Sequence, residues 1–296
     1  MYYDSNTVIF HNGNWEKASE AKGDLYSQTL HYGNGVFEGI RSYETPSGAQ
    51  IFRARDHYKR LMHSASRMNI KLPYSVDDFI DLSYKLLKKN KLKNAYIRPL
   101  IYKGSHLALT PTTGVNIMIA AWVWPQYLGG ERVKVMISSY QRPNPKSIPI
   151  DAKITGTYAN SILATEEAKS KGFDEALLLD SDGFIAEGSG ENFFLEKDGV
   201  LLTPALGNIL PGITRATVIE MARKLSFPLI ETQIRPEEIK SAEAAFFTGT
   251  AAEIAGIKSI DGVEFKTPWE DTMGYSLFLA YRNRVTQNEF KDFTLV

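Results

Sequence analysis

The sequence predicts a mixed α and β fold in two domains. Of its 296 residues, 43% are hydrophobic and 23% are charged, a balance typical of a globular chain with a sizeable core. Apolar residues occur at strand-like and at helix-like spacings in both halves. Residues 125–132 interrupt these patterns with one proline and two glycines. We therefore predict a small α/β domain over residues 1–124, a linker over 125–132 and a larger domain over 133–296.

The small domain is predicted to open with a β-hairpin and to continue with two helices. Asn12-Gly13 favours a tight turn between two short strands. Asp56 is the expected N-cap of the first helix, and Ser75 with Asp78 is expected to cap the second.

Two apolar strands are predicted to follow these helices, over residues 95–102 and 116–124. Pro99 lies inside the first of them. Because proline has no amide hydrogen to donate to a sheet, Pro99 is expected at a sheet edge or a bulge.

The larger domain is predicted to mix strands with helices, and a turn at Asp182-Gly183 should join the strands over residues 175–180 and 192–195. A helix over residues 158–171 should end at Gly172, and another should occupy 213–225. Residues 248–253 are expected to turn a strand into the start of a third helix. The predicted strands span residues 133–138, 175–180, 192–195 and 244–247.

Composition excludes several classes of function. The 34 basic and 34 acidic residues cancel formally, so no overall field favours nucleic acid or an anionic membrane. Cysteine is absent, which removes disulfides and thiolate chemistry, and the five histidines lack the spacing of metal ligands. The apolar run at 117–124 is much shorter than the roughly 20 residues that span a bilayer. Because the first residues also lack a signal-peptide pattern, we expect a cytoplasmic protein without a metal site.

Three short segments of the larger domain combine a lysine, a carboxylate and the start of a helix. Lys153 lies in Asp151–Tyr158, Glu187 lies in Ala186–Asn192, and Leu210–Arg215 opens a helix. An aldehyde cofactor needs an amine to hold it, an acid for its ring nitrogen and backbone donors for its phosphate. The combination predicts a pyridoxal phosphate site in which Lys153 is a nucleophile and proton carrier.

Other residues near these segments are candidates for further cofactor contacts. Tyr158 is a candidate partner of the ring hydroxyl, with a core tyrosine at a helix start as the alternative. Glu191 is the alternative to Glu187 as the partner of the ring nitrogen. Amides at the start of the helix over 213–225 carry the positive end of its dipole and form an anion site. Thr248–Thr250 is expected to offer the same donors at a second helix start, and Arg60 to complete a phosphate cup.

The order of the motifs resembles a known enzyme family. His31–Arg41, Tyr96–Leu100 and Thr248–Ile254 are similar to segments of the branched-chain amino acid aminotransferases, which are class IV pyridoxal phosphate enzymes. The resemblance covers most of the chain. It implies the fold type IV architecture, in which a small α/β domain joins a larger domain built on a pseudo-barrel sheet and the cofactor lies between them.

The resemblance also assigns roles to individual residues. Lys153 would hold the cofactor as a Schiff base, Tyr158 would contact its ring hydroxyl and Glu187 its ring nitrogen. Helix-start amides and a guanidinium would bind the phosphate. The further cofactor-binding residues implied are Arg60, Leu210, Ile213, Thr214 and Thr250.

The family's substrate pocket maps onto residues that form an apolar wall or carry a cation. Branched side chains need an apolar wall, which Phe37, Trp124 and Tyr127 provide, with core packing as the alternative role of the first two. Glutamate, the usual amino donor, needs a cation for its side-chain carboxylate, and Arg98 or Arg41 supplies it. The complete implied pocket is Tyr32, Phe37, Gly39, Arg41, Tyr96, Arg98, Trp124, Tyr127, Ala251 and Ala252.

Two segments depart from the family pattern. The family commonly has asparagine where this chain has Thr157, although Tyr158 keeps its distance from Lys153. The segment Ser105–Thr110 is not a close match either. In relatives this loop reaches the neighbouring subunit's active site, so the resemblance does not define the breadth of substrates.

The implied reaction is ping-pong amino transfer between L-leucine, isoleucine or valine and 2-oxoglutarate, as in branched-chain amino acid biosynthesis. A D-amino acid aminotransferase, an R-selective amine aminotransferase and an aminodeoxychorismate lyase are the alternatives on this fold, but Tyr96–Arg98 and Trp122–Trp124 resemble the branched-chain group more. A binding protein on an old enzyme fold or a nucleotide-dependent oxidoreductase is the alternative from another class, although Gly188–Gly190 lacks the third glycine of a dinucleotide motif. The family's shared active sites imply at least a homodimer, or a hexamer of three dimers.

Overall fold

The computed structural model describes residues 2–124 and 132–287. These residues group into two compact units. The first unit comprises residues 2–124, 152–157 and 285–287, and the second comprises residues 132–151 and 158–284. The expected linker, apart from its last residue, lies outside the described residues. The domain boundaries therefore stay predictions.

The first unit is built on an antiparallel sheet of seven strands within the described residues, in the order β2-β1-β7-β6-β4-β5 with β3 beside β6. Helices α2 and α3 pack on this sheet. The strands are β1 Val8–His11, β2 Asn14–Lys17, β3 Gly35–Phe37, β4 Ile40–Thr45, β5 Gly48–Ile51, β6 Ala95–Lys103 and β7 Val115–Trp122. The helices are α1 Gln28–Tyr32, α2 Ala54–Arg67 and α3 Val76–Lys89.

Two predictions for the first unit that depend only on neighbouring residues, a hairpin turn and a capping box, are confirmed. Asn12 and Gly13 both have positive φ, 48° and 89°, as the predicted hairpin turn requires. Ser75 and Asp78 form the predicted capping box, because the Asp78 amide donates to Ser75 Oγ and the Ser75 amide donates to Asp78 Oδ2.

The predicted cap of α2 is wrong. Arg53 is the N-cap, and Asp56 lies inside the first turn, where its carboxylate accepts a hydrogen bond from Arg53 Nε. An acidic side chain in the first turn interacts favourably with the helix dipole without capping the helix. The aspartate was therefore a correct sign of a helix start, but misplaced by three residues.

The predicted position of Pro99 is also wrong. Pro99 lies in β6, an interior strand, opposite Ile119 of β7. On its other side β6 changes partner from β3 to β4, and the Glu38 amide between those strands donates to the Pro99 carbonyl. The missing amide hydrogen falls at this change of partner, so the proline is tolerated inside the sheet.

The second unit contains a closed sheet. Among the described residues its order is β10-β9-β8-β15-β14-β11-β12-β13, with β16 beside β15, and an additional pairing of β10 with β11 closes six of the strands into a barrel. The strands are β8 Val133–Gln141, β9 Glu175–Leu179, β10 Ile185–Gly188, β11 Asn192–Lys197, β12 Val200–Pro204, β13 Leu229–Thr232, β14 Ala244–Gly249, β15 Glu253–Ile260 and β16 Val263–Glu264. The helices are α4 Tyr158–Ser170, α5 Ile213–Lys224 and α6 Met273–Thr286.

The predicted mixed α and β fold with a barrel-like larger sheet is confirmed. One apolar cluster lies along the barrel strands and includes Val135, Leu177, Phe193, Phe247 and Ile257, all buried. Burial of this many large side chains is the main stabilisation of such a sheet.

Two turns of the second unit differ from the prediction. The Asp182-Gly183 turn joins β9 to β10, a short strand that the sequence did not reveal, so Glu187 is a strand residue. Residues 248–253 do not begin a helix. They form the end of β14, a turn and the first residue of β15, and Gly249 lies opposite Glu253 across the resulting hairpin.

Within the described ranges no helix is long and apolar enough to cross a membrane. The same residues contain no group of three or more His, Cys, Asp and Glu side chains that could hold a metal ion.

Candidate active site

Backbone hydrogen bonds hold Lys153 in place within the first unit. Its amide donates to Ser64 Oγ at 2.9 Å, and its carbonyl accepts from the Phe37 amide at 3.1 Å. Two residues further on, Thr155 Oγ1 donates to the Gly33 carbonyl at 2.6 Å. Gly33 and Gly156 approach so closely that a Cβ on either would press against the other's backbone. The two glycines therefore allow this segment to lie directly against the end of α1.

Five predicted substrate-pocket residues come together around Lys153 or beside it in the first unit. The Phe37 ring centroid lies 5.0 Å from Lys153 Nζ and 4.8 Å from Arg98 Cζ. Arg98 Cζ also lies 5.5 Å from the Tyr96 ring, and the Trp124 ring lies 4.7 Å from that same tyrosine. A side chain at Gly39 would overlap the Tyr96 hydroxyl. One aromatic wall thus carries an amine and a guanidinium.

The other predicted pocket residues of the first unit have different settings. Arg41 lies directly opposite Tyr96 across β4 and β6, so the two share one face of the sheet. Tyr32 ends α1, is half exposed, and donates its hydroxyl to the Leu107 carbonyl at 2.8 Å. Tyr127 lies outside the described residues.

Glu187 is positioned by three separate segments of the second unit. It is only 5% exposed, and its carboxylate pairs with Arg142 Nη2 at 2.8 Å. Asn192 Nδ2 donates to it at 3.0 Å, and the Leu210 amide donates at 3.1 Å. Glu191, the alternative carboxylate, is equally buried and accepts from the Gly190 amide at 3.1 Å. The arginine and the two further donors fix the Glu187 carboxylate in place, as a partner for a ring nitrogen requires.

The helix start predicted to bind an anion is confirmed as a helix start. Gly212 is the N-cap of α5, and the first amides, those of Ile213 and Thr214, have no intrahelical partner by their position. Asn192 Nδ2 also donates to the Leu210 carbonyl at 3.0 Å. Because Leu210 is bonded to both Asn192 and Glu187, the carboxylate and the helix start hold fixed positions relative to each other.

The predicted second helix start is replaced by the hairpin turn between β14 and β15, which carries Thr250, Ala251 and Ala252. Thr248, at the end of β14, lies opposite Asn192 of β11. Its hydroxyl is buried and has no hydrogen-bond partner among the residues that the structure describes. The turn therefore sits beside the strand end that carries Asn192, although without helix-start amides. Tyr158, the remaining predicted cofactor contact, is the first residue of α4 and is half-buried.

Arg60 is bonded to a buried carboxylate in the first unit. Its Nε and Nη2 donate to the two oxygens of Glu38 at 2.6 and 2.9 Å, and His57 Nδ1 lies 2.8 Å from the second of them. Burial alone would raise the pKa of Glu38, but the Arg60 charge and the hydrogen bonds from His57 and Arg60 outweigh it and lower this pKa to about 2. Glu38 is therefore ionised at neutral pH.

A family profile described as amino-transferase class IV matches residues 35–260. The chain belongs to the class IV aminotransferases. The branched-chain-amino-acid aminotransferase of Pseudomonas aeruginosa is 43% identical to this aminotransferase over 265 residues, which cover 88% of this chain and 86% of that protein.

Solved structures agree with this assignment. A branched-chain aminotransferase from Thermoproteus uzoniensis with norvaline has a TM-score of 0.91 and 38% identity, covering 94% of both chains. The branched-chain amino acid aminotransferase from Thermobaculum terrenum in its PLP-form has a TM-score of 0.89 and 31% identity, covering 95% of this aminotransferase and 95% of that chain.

Four polar residues that the sequence did not indicate position the candidate site residues of this aminotransferase. Arg142 and Asn192 hold Glu187, whereas Glu38 and His57 hold Arg60. Glu38 carried the clearest signal, because a glutamate inside the apolar stretch Val36–Ile40 is rarely buried without a partner. The pairings themselves could not be derived from spacing.

Proposed function

We propose that this aminotransferase transfers the amino group between L-leucine, isoleucine or valine and 2-oxoglutarate, with pyridoxal 5'-phosphate as its cofactor. The observation that carries the proposal is the Phe37 ring, with Lys153 Nζ and Arg98 Cζ each within 5.0 Å of its centroid. A reactive amine, an apolar wall and a cation for a second carboxylate are the three groups that such a pair of substrates requires. The names of the relatives, branched-chain aminotransferases, support the substrate class.

The residues present suit the cofactor. Lys153 would hold its aldehyde, Tyr158 its ring hydroxyl and Glu187 its protonated ring nitrogen. Helix-start amides and cations suit a phosphate, and the buried Thr248 hydroxyl without a partner among the described residues marks a polar gap beside the hairpin turn. The predicted phosphate contacts are Arg60, Ile213, Thr214 and Thr250. The Leu210 amide instead supports Glu187.

Each candidate site residue would have a separate role in the proposed reaction. When bound, the cofactor supplies the electron sink that stabilises negative charge at the substrate's α carbon. Lys153 Nζ accepts the α proton as a general base. Glu187, with its carboxylate fixed by Arg142, would hold the ring nitrogen. Phe37 and Trp124 provide the wall for a branched side chain, and Arg98 pairs with the second carboxylate of glutamate.

The substrate proposal is tested by steady-state kinetics. We expect turnover of L-leucine with 2-oxoglutarate and no turnover of D-alanine or R-phenylethylamine. Arg98→Met should raise KM for 2-oxoglutarate by about tenfold or more, because a charge-assisted pair is lost, with little change in KM for L-leucine. Activity with D-alanine alone, or equal effects of the variant on both KM values, would contradict the proposal.

We also propose that the working unit is at least a homodimer. Several large apolar side chains on the segments 25–32 and 107–109 are exposed, Leu25 at 76% and Leu109 at 84%. The two segments run together, because Tyr32 donates to the Leu107 carbonyl and the His106 amide donates to the Tyr26 carbonyl. An apolar surface of this kind is typical of a protein interface. Sedimentation should give a dimer or larger, and Leu109→Lys should weaken it. A wild-type monomer would contradict this proposal.

A further inference from the structure

We propose that Glu38 and His57 are positioning residues, which hold the Arg60 guanidinium in the orientation that binds the phosphate of the cofactor. This inference rests on the proposed function. It concerns two buried polar side chains of the first unit that have no other evident task.

The burial of Glu38 requires an explanation. Its side chain is 0% exposed, and an ionised carboxylate without partners at such a site would be strongly destabilising. It keeps its charge only because both oxygens accept hydrogen bonds from Arg60 and one of them also contacts His57. An apolar residue of similar size would fill the space without this cost. The buried Glu38 carboxylate is therefore explained better by its effect on the orientation of Arg60 than by a contribution to the stability of the fold.

The geometry fixes the plane of the guanidinium. His57 and Arg60 lie three residues apart on α2, so they share one face of the helix and reach the same carboxylate. The two parallel bonds from Nε and Nη2 leave the guanidinium no rotation about its long axis. The Nη1 side of the fork is thereby turned away from Glu38. A side chain with several rotatable bonds is thus ordered before any ligand binds.

The three side chains of Glu38, His57 and Arg60 together have almost no net charge to attract a phosphate. Arg60 is cationic and Glu38 is anionic. Burial lowers the pKa of His57 and outweighs the hydrogen bond that His57 donates to Glu38, so the imidazole is neutral at neutral pH. If Arg60 contributed charge alone, Glu38 would weaken phosphate binding by neutralising it. If Arg60 contributes oriented donors, Glu38 strengthens phosphate binding. The two roles predict opposite signs for the same substitution.

The test measures the binding of pyridoxal 5'-phosphate and of pyridoxal to the apoprotein, by quenching of tryptophan fluorescence. Pyridoxal lacks the phosphate, so it reports any general damage to the fold. We expect Glu38→Gln to raise the Kd for pyridoxal 5'-phosphate about tenfold, the scale of ordering one long side chain, and the Kd for pyridoxal less than about twofold. In an Arg60→Met background, Glu38→Gln should have no further effect on either ligand.

Tyr58→Phe is the matched control. It removes a buried hydrogen bond to Ser83 from the same helix, and it should change the two Kd values by the same small factor. If Glu38→Gln does not fold, His57→Leu and His57→Asn replace it. His57→Leu should weaken the binding of pyridoxal 5'-phosphate but not that of pyridoxal. His57→Asn, whose amide can take the place of Nδ1, should restore the binding of pyridoxal 5'-phosphate.

The outcomes separate the inference from the proposed function. If the wild type binds neither ligand, the proposed function fails, and the inference fails with it. If the wild type binds pyridoxal 5'-phosphate but Glu38→Gln binds it equally or more tightly, only the positioning role is wrong. Equal weakening of both ligands by Glu38→Gln or His57→Leu would likewise leave these residues with a structural role alone.

Discussion

Replacing Glu187 by glutamine should destabilise the second unit as well as impair the reaction. Glu187 is 5% exposed, and its carboxylate contacts three donors, Arg142, Asn192 and the Leu210 amide. Glutamine has nearly the same shape, but one of its two terminal groups is itself a donor. At least one of the three bonds must therefore become a contact between two donors.

The magnitude follows from the burial of Arg142. Its side chain is 8% exposed, so Glu187→Gln leaves a nearly buried cation without its counter-charge. Removing one partner of such a pair costs about 3 kcal/mol or more. For a unit of this size each kcal/mol lowers Tm by about 2–4 °C, so we expect a decrease of about 6–12 °C.

The assay is thermal unfolding of the apoprotein, followed by circular dichroism. The double variant Glu187→Gln/Arg142→Met is the control, because it removes the stranded cation and should recover more than half of the lost Tm. A Tm of the single variant within about 2 °C of the wild-type Tm would contradict this expectation. So would a double variant no more stable than the single one.

Three further predictions test other parts of the structure. Gly33→Ala should destabilise the protein by about 1–3 kcal/mol more than Gly48→Ala in urea unfolding, because both glycines have positive φ but only Gly33 presses against the Lys153 segment. Because the pKa of Glu38 falls to about 2 on folding from an ordinary 4.5, its stabilisation is present above pH 4.5 and is lost as the pH falls towards 2. Glu38→Gln should therefore flatten the wild type's loss of stability in that window, and an unchanged acid slope would contradict this. Burial raises the pKa of Glu175, so the wild type should lose stability as the pH rises above 4.5, and Glu175→Gln should be less sensitive to that rise in melts at pH 4 to 8.

The elements that the sequence predicted correctly are those decided by neighbouring residues. The Asn12-Gly13 turn and the Ser75 capping box each depend on backbone geometry over four residues or fewer. The wrong predictions concern segments whose structure depends on pairing with another strand. Residues 248–253 have the small side chains of a helix start, but pairing of β14 with β15 makes them a hairpin. β10 is only four residues long and includes a glycine, so its pattern was too short to detect.

The site divides in the same way. Lys153 and Glu187 could be proposed from the sequence because each lies in a segment whose chemistry matches one part of a single cofactor. The residues that support Glu187 and Arg60 were not identifiable, because Arg142 is 45 residues from Glu187 and Glu38 is 22 residues from Arg60. No periodicity of a helix or a strand connects positions at such separations. Only the folded sheet of each unit brings them together.

The two supports share one physical solution, which suggests what the fold contributes to the reaction. Glu38 and Glu187 are both buried carboxylates, each joined to an arginine and to further donors. In the first the arginine is the proposed ligand and the carboxylate its holder, and in the second these roles are exchanged. In both, side-chain entropy is lost when the chain folds rather than when the cofactor binds. Because each pair lies within one unit, breaking it should disturb that unit's part of the site first. Glu38→Gln should therefore weaken phosphate binding and leave the contacts of Glu187 unchanged. Glu187→Gln should disturb the contact with the ring nitrogen and leave phosphate binding by Arg60 unchanged.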